Sequence, residues 1–553
     1  MATNKSPQTV SDFIVKALEL HGVEYVFGVP GEETEDLLFS LSRSKKITFI
    51  PTRHEQGAAF MANVWGRLTG KVGVCLSTLG PGATNLVTGL ADAFMDKAPV
   101  LALTGQADSK RLHKESHQYI DVVALMRPIS KWNTLLHTPE ITAEVVSKAL
   151  RIAETEKPGV THIDIPEDIA HASYLGTPIE TIKVRRAAPD YKAIDKALML
   201  LQKSERPIIL AGNGAIRKRA AKQLRLLSSK YNIPVVSTFM GKGAVSDAMP
   251  QSLYTAGMKA KDIPAYALDK ADLVITVGYD IAEYDPSFWN RKDTRPIIHI
   301  DFESSETYEY YQPAVEIIAD VSASLWELIR ILEERNTASF ATWYDVYRRS
   351  MTKDIVSYDK EPAIPTIQYV LTVLRTYMPT DAILLSDVGS HKMWIGRNFP
   401  VYEPGTCIIS NGLASMGIAL PGGMAAKLAF PDRKVVSVMG DGGFLMNSQE
   451  IETAKRMKVP FVIVILNDND YGLISWKQTT HRGAAVGTKL TNPDFRKYAE
   501  SFGVKAYIPR NAKEVKRDLK KAIDGNELCV VAIDIDPREN MKLTKKLQAL
   551  TFK

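Results

Sequence analysis

Two acids at the ends of neighbouring parallel strands can hold a cation against a phosphate, and residues 440–468 have the pattern that would place them so. The apolar run 435–439 reads as a buried strand, Gly440-Asp441-Gly442-Gly443 supplies a turn, 445–457 fits a helix, and 461–466 reads as the next strand. A strand–helix–strand unit of this size closes as a right-handed parallel crossover, so Asp441 and Asp468 each fall just beyond the carboxyl end of a strand. Hard oxygen ligands there suit Mg²⁺, which keeps coordination positions open for phosphate oxygens, while the Gly442 and Gly443 amides at a helix start can face the same anion. Gly-Asp-Gly alone fits a surface turn with a capping Asp equally well; the second acid, preceded by Asn467, tips the balance.

The elements that must position these acids recur along the chain. Residues 72–105 read strand, Gly-Pro-Gly turn, helix, Pro99, strand, and 435–468 repeat that design with Gly-Asp-Gly and Pro460, which suggests two related α/β domains. Strand candidates at 207–211, 273–277 and 297–300 make a third, in which Gly212-Asn213-Gly214 reads as a strand-to-helix turn. Linkers are expected at 174–191 and 336–365, where hydrophobic periodicity fades. A chain of 553 residues exceeds one core, and a net charge of +6 with acids and bases interspersed points to neither nucleic acid nor a membrane surface. The run Arg217-Lys218-Arg219 with Lys222 and Arg225 reads as a solvated helix face. Cys75, Cys407 and Cys529 are too few and scattered for a disulfide framework, and Cys75 fits a small core position. No apolar run reaches membrane-spanning length and 1–10 lacks the apolar core of a secretory signal, so the expected compartment is the cytoplasm.

Glu55 opens a helix-like stretch, 56–68, directly after the strand-like 47–52. By itself it is an ordinary first-turn Glu favoured by the helix dipole. The run Arg53-His54-Glu55-Gln56, however, together with Gly440-Asp441-Gly442 and Asn467-Asp468, resembles the thiamin diphosphate-dependent acetohydroxyacid and acetolactate synthases. Gly28-Val29-Pro30-Gly31, Leu79-Gly80-Pro81-Gly82 and Thr104-Gly105-Gln106 extend the likeness over nearly the whole chain. The resemblance implies three doubly wound parallel-sheet α/β domains: pyrimidine-binding (1–178), central (190–338) and diphosphate-binding (365–553). It implies that Glu55 activates the cofactor, that Mg²⁺ is held by Asp441, Asp468 and the main-chain carbonyl of Asp470, and that Met416 wedges the cofactor rings apart beside Ala414. Ser390, His391, Gly440, Gly442, Gly443 and Tyr471 are implied as further cofactor contacts, and Gly31, Gln118 and Lys477 as substrate contacts.

Finer signs separate branches of the family. Residues 278–290 with His117-Gln118 are similar to the FAD-free catabolic synthases, and the Arg-bearing segment of the FAD-containing branch is absent. These signs make FAD doubtful, and against them Met240-Gly241-Lys242-Gly243 is similar to the FAD-containing branch, which keeps FAD open. The expected reaction is decarboxylation of pyruvate and transfer of its two-carbon unit to a second 2-keto acid, giving 2-acetolactate in a homodimer or homotetramer with shared sites. A 2-keto acid decarboxylase or another thiamin diphosphate carboligase or acetyltransferase is the alternative, although no His-His pair of the decarboxylase kind occurs. Intact Glu55, Asp441 and Asp468 argue against a non-enzymatic scaffold.

Overall fold

The computed structural model describes residues 8–180, 186–258, 261–291, 295–358 and 360–551. Parts of the expected N-terminal stretch (1–7) and of both linkers (181–185 and 359) lie outside them. Three six-stranded sheets, each wholly parallel, carry the architecture. The chain divides into two compact units: one takes the residues up to Val184 with Leu413–Asp432 and Leu445–Pro460, the other Arg185–Gly412, Arg433–Phe444 and Phe461–Lys553.

In the first unit the strand order is Thr48–Pro51, Tyr25–Gly28, Gly73–Ser77, Val100–Gln106, Val160–Pro166, Trp132–Leu135. Numbered along the chain within the sheet, that is 2-1-3-4-6-5. The C-terminal sheet, in the second unit, runs Cys407–Ile409, Ile383–Ser386, Val435–Gly440, Val462–Asn467, Cys529–Asp534, Lys505–Tyr507, again 2-1-3-4-6-5. The shared order bears out the reading of two related end domains. The central sheet differs, running Ser252–Thr255, Val235–Ser237, Pro207–Ala211, Leu273–Val277, Ile297–Asp301, Val315–Ile318, or 3-2-1-4-5-6. Helices cover both faces of parallel sheets, so inner strands read as continuous apolar runs. Val462–Asn467 has every residue buried except its last. Val436, Val438, Val464 and Val531 form the core beneath one helix layer of the C-terminal sheet, and Ile209, Val235, Ile275 and Ile298 do so in the central one. All three cysteines are free and buried, Cys75 completely.

Several expectations need correction. The single helix expected at 445–457 is two, Asp441–Asn447 and Glu450–Arg456, separated by Ser448 and Gln449. The first starts on the turn acid itself. The 336–365 stretch contains a helix, Asp345–Val356, whose Tyr347 and Met351 are buried; only three of its twelve residues face inward, so its periodicity is faint. Arg225 is not simply solvated, since its guanidinium donates to the carbonyls of Gly243, Ala244 and Tyr402 at 2.9–3.1 Å.

The helix Ser390–Asn398, which begins with two expected site residues, is fastened near its other end. Arg397 is 1 % exposed and pairs with Asp262 at 2.7 and 3.1 Å and with Asp354 at 2.5 Å, while Asp354 also meets Lys546 of the C-terminal helix Arg538–Ala549. Trp394 donates to Asn540 at 2.7 Å. Removing the guanidinium leaves buried Asp262 without its ion-pair partner and Asp354 with Lys546 alone. Arg397→Met is therefore expected to cost about 3–5 kcal/mol, read as a shift in the denaturant midpoint. A cost under about 1 kcal/mol, the median scale of an exposed pair, would show that the two acids are satisfied without it.

Candidate functional site

Open α/β sheets bind ligands outside the carboxyl ends of the strands where the strand order reverses. In a 2-1-3-4 order that point lies between strands 1 and 3. In the first unit Gly31 follows strand 1 and Glu55 and Gln118 pack on the loop after strand 3, while Ala414 and Met416 belong to the same unit; in the C-terminal sheet Ser390 and His391 follow strand 1 and Gly440–Gly443 close strand 3, while Asp468, Asp470, Tyr471 and Lys477 follow the neighbouring strand 4.

In the first unit Glu55 is the first residue of the helix Glu55–Thr69 and is 8 % exposed. Its Oε2 accepts from Asn85 Nδ2 at 2.9 Å, and its Oε1 would lie 3.4 Å from a Cβ on Gly82, so it sits over the Gly-Pro-Gly turn. The lead-in to Glu55 is pinned by a residue that sequence reasoning missed. Glu450, wholly buried, accepts the main-chain N–H groups of Arg53 (3.1 and 3.3 Å) and His54 (3.1 Å) and the Thr453 hydroxyl (2.6 Å). Burial pushes its carboxyl up to about 7 against those hydrogen bonds. One amide joins two expected segments: Asn447 Nδ2 donates to the carbonyl of Gly417, next to Met416, at 2.9 Å, and to Gln56 Oε1, next to Glu55, at 3.2 Å. Gln118 and Ala414 both hold left-handed backbone (φ 57°), which costs a side-chain-bearing residue about 1 kcal/mol or more and clusters at functional sites. A Cβ on Gly80 would come within 2.3 Å of the Gln118 carbonyl, so the turn packs directly on that strained residue. Gly31 packs against Thr78, and Met416 is half-buried.

In the second unit the loops after Ile383–Ser386 and Val435–Gly440 meet at the reversal. A Cβ on Gly443 would fall 2.9 Å from Asp387 Oδ1, which is why that position carries none. The His391 ring is 3.6 Å from where a Gly440 Cβ would be, and Ser390 Oγ and Asp468 Oδ2 both crowd the same face of Gly472. Tyr471 caps the helix Gly472–Arg482 and lays its ring beside Gly442. Lys477 lies on that helix and is exposed, as the helix has no buried residue.

The acids crowd one another. Asp441 is 1 % exposed and its carboxyl is raised by burial, although Asn492 and the Gly442 amide hydrogen-bond to it. Burial, then the charges of Asp441 and Asp470, push Asp468 up to about 7. Burial also disfavours the charge on Asp470, but hydrogen bonds from Thr488, Lys489 and Ser475 outweigh it and hold this carboxyl below the usual range. Its Oδ2 pairs with Lys489 at 2.9 Å. Asn492 is the second residue that sequence reasoning missed: its Nδ2 contacts Asp441 Oδ2 (2.6 Å), Asn467 Oδ1 (2.9 Å) and Asn469 Oδ1 (3.0 Å), tying both strand-end loops together. Nothing in Thr491-Asn492-Pro493 marks it beyond a turn.

These residues fit a cation and an anion. Among the described residues no group of three or more His, Cys, Asp or Glu side chains forms a metal cage, so a cation here would take the two carboxylates plus main-chain or ligand oxygens. His391 is buried, its ring is hydrogen-bonded to the Asp387 main chain, and its Nε2 has no partner. Burial drops its affinity for a proton to about 4. A buried ring nitrogen left open demands a ligand or water.

Family models match in three places: the N-terminal TPP binding domain of thiamine pyrophosphate enzymes at 8–125, their central domain at 194–328, and their C-terminal TPP binding domain at 387–533. Among curated proteins, the chain is 35 % identical to a probable acetolactate synthase large subunit of Methanocaldococcus jannaschii, covering 96 % of this chain and 93 % of that protein. It is 33 % identical to the acetolactate synthase of Bacillus subtilis (96 % and 94 % covered) and 34 % identical to the catabolic acetolactate synthase of Raoultella terrigena (97 % of both).

With Asp468 raised to about 7, a divalent cation must displace its proton below that pH. Mg²⁺ titrated into the chain at about pH 6 is expected to release about one proton, seen by calorimetry in buffers of different ionisation enthalpy. Asp468→Asn should bind the ion without that release. Equal proton release in the two proteins would put the cation elsewhere.

Proposed function

Since the chain belongs to the acetolactate synthase family of thiamine pyrophosphate enzymes, we propose that Glu55, Asp441, Asp468 and the Asp470 main chain carry its chemistry. The chain is a thiamin diphosphate-dependent carboligase that forms 2-acetolactate. Two pyruvates less one CO₂ give that product, so the donor and the acceptor are both 2-keto acids. The bound cofactor supplies the electron sink for loss of CO₂.

The protein's part is to hold, orient and move protons. In this reading Glu55 would hold the cofactor's pyrimidine ring through its carboxyl, from where it would share a proton with the ring and so activate the bound cofactor. Asp441, Asp468 and the Asp470 carbonyl would hold Mg²⁺, which would neutralise diphosphate charge, and Ser390, His391, Tyr471 and the Gly440–Gly443 backbone would contact the diphosphate. The observation that carries this assignment is the convergence of the crowded acids and the open His391 Nε2 at one strand-order reversal. Met416 and Ala414 would contact the cofactor's rings. Gly31, Gln118 and Lys477 would contact the second 2-keto acid, with the ammonium of Lys477 available to its carboxylate.

The same reading assigns 1–178 as the pyrimidine-binding, 190–338 as the central and 365–553 as the diphosphate-binding domain; the family matches fall inside these spans. It includes a homodimer or homotetramer with shared sites, supported by the uncovered helix Gly472–Arg482, where Ile474 is 48 % exposed and nearby Val486 79 %. No helix among the described residues is long and apolar enough to cross a membrane, and we take the compartment to be the cytoplasm.

Glu55→Gln separates binding from chemistry. The variant is expected to bind thiamin diphosphate and Mg²⁺ like the parent while slowing hydrogen exchange at the reactive carbon of the bound cofactor about a hundredfold or more, with acetolactate formation from pyruvate falling in step. Parental exchange in the variant would remove Glu55 from its role.

A further inference from the structure

The central sheet has the strand order with which α/β domains grip a dinucleotide. Its reversal lies between Pro207–Ala211 and Leu273–Val277, so the crevice is bounded by Gly212-Asn213-Gly214 and Gly278-Tyr279-Asp280. In dinucleotide sites the main-chain amides of such loops face phosphate oxygens. Here they face a carboxyl group of the chain itself. Both oxygens of Glu283 accept from the Asn213 N–H at 3.0 Å, its Oε1 also from the Asp280 N–H at 3.1 Å, and its Oε2 from the Thr238 hydroxyl at 2.5 Å. The donors come from the loops after the first, second and fourth strands, the three that surround the reversal. Glu283 is 6 % exposed, and its own carbonyl is anchored by Asn411 Nδ2 at 3.1 Å.

The two loops pack closely on the Glu283 carboxyl. A Cβ on Gly212 would come within 2.8 Å of Glu283 Oε1 and 2.5 Å of the Gly278 carbonyl. Burial, with Asp280 alongside, pushes the Glu283 carboxyl upward, and the hydrogen bonds from Thr238, Asn213 and Asp280 pull it back. A buried carboxyl without hydrogen-bond partners is strongly disfavoured, and here the loop donors and the carboxyl satisfy each other. The segment that resembles the FAD-containing branch is committed as well. Lys242 is 2 % exposed and its ammonium donates to the Gly396 carbonyl (3.0 Å) and Thr255 Oγ1 (3.1 Å), with Asp247 at 3.6 Å.

We infer that Glu283 fills the phosphate cradle of the central domain with a built-in carboxyl group and closes that domain to FAD and other dinucleotides. The residues present therefore do not fit FAD. This goes beyond the carboligase reading and does not rest on it, because the cradle is separate from Glu55, Asp441 and Asp468.

Two measurements on the full chain loaded with thiamin diphosphate and Mg²⁺ test it. Titrating FAD into the unaltered protein, followed by flavin fluorescence, is expected to show no saturable binding; stoichiometric binding overturns the inference. In Glu283→Ala the vacated cradle keeps its donors, so the lowered Tm should rise again with acetate or phosphate and not with chloride at equal ionic strength, while the unaltered protein shows no such selectivity. A Tm in the variant that responds alike to all three anions overturns it too, and the FAD titration decides the matter even if the variant does not fold.

Discussion

Negative charge crowded at the end of one sheet is the constraint to which the C-terminal sheet is adapted. Asp441 and Asp468 end adjacent parallel strands whose register is fixed by main-chain hydrogen bonds, with Met439 opposite Ile465 and Gly440 opposite Leu466, and Asp470 follows two residues later. Parallel strands cannot slide apart to relieve repulsion without breaking the ladder, so the strain appears as raised proton affinity. Lys489 and Asn492 answer part of it. A cation answers the rest, and much of the surrounding structure keeps the loops still enough to receive one: Asn492 ties the two strand ends together, and the Arg397 cluster fixes the helix that carries Ser390 and His391.

The three sheets handle the same geometric opportunity differently. Each has a strand-order reversal, and each places an acid near it. In the first unit Glu55 is held by Asn85 and by a backbone that Glu450 clamps, which leaves its carboxyl positioned but with few donors. In the C-terminal sheet the acids are gathered against one another. In the central sheet Glu283 is satisfied by the loops themselves. An acid with few partners, an acid among acids and an acid fully hydrogen-bonded suit a proton shuttle, a metal seat and a plug respectively.

Much of this is legible in the sequence because strand ends are fixed by short local signals. Gly440-Asp441-Gly442 and Asn467-Asp468 sit where the apolar runs 435–439 and 461–466 stop, and the structure ends those strands within a residue or two of the expected positions. The shared design of the end sheets followed from the same signals. What did not follow depends on long-range pairing. Glu450 is 397 residues from Arg53, whose N–H it accepts, and reads in sequence as one more acid on a helix. Asn492 is an unremarkable turn residue until the two strand-end loops meet on it. The break at Ser448-Gln449 carries no Gly or Pro to announce it. Arg225 belongs to a basic run whose solvated appearance hides its three carbonyl partners.

The central claim is that the acids of the C-terminal sheet serve the cofactor through a metal ion. Its most direct test is thiamin diphosphate binding measured by calorimetry on metal-free protein, with EDTA and then with Mg²⁺ restored, for the parent chain and for Asp441→Ala. The account predicts tight binding only in the parent with Mg²⁺ present. Thiamin diphosphate binding equally well with EDTA, or to Asp441→Ala, would contradict it.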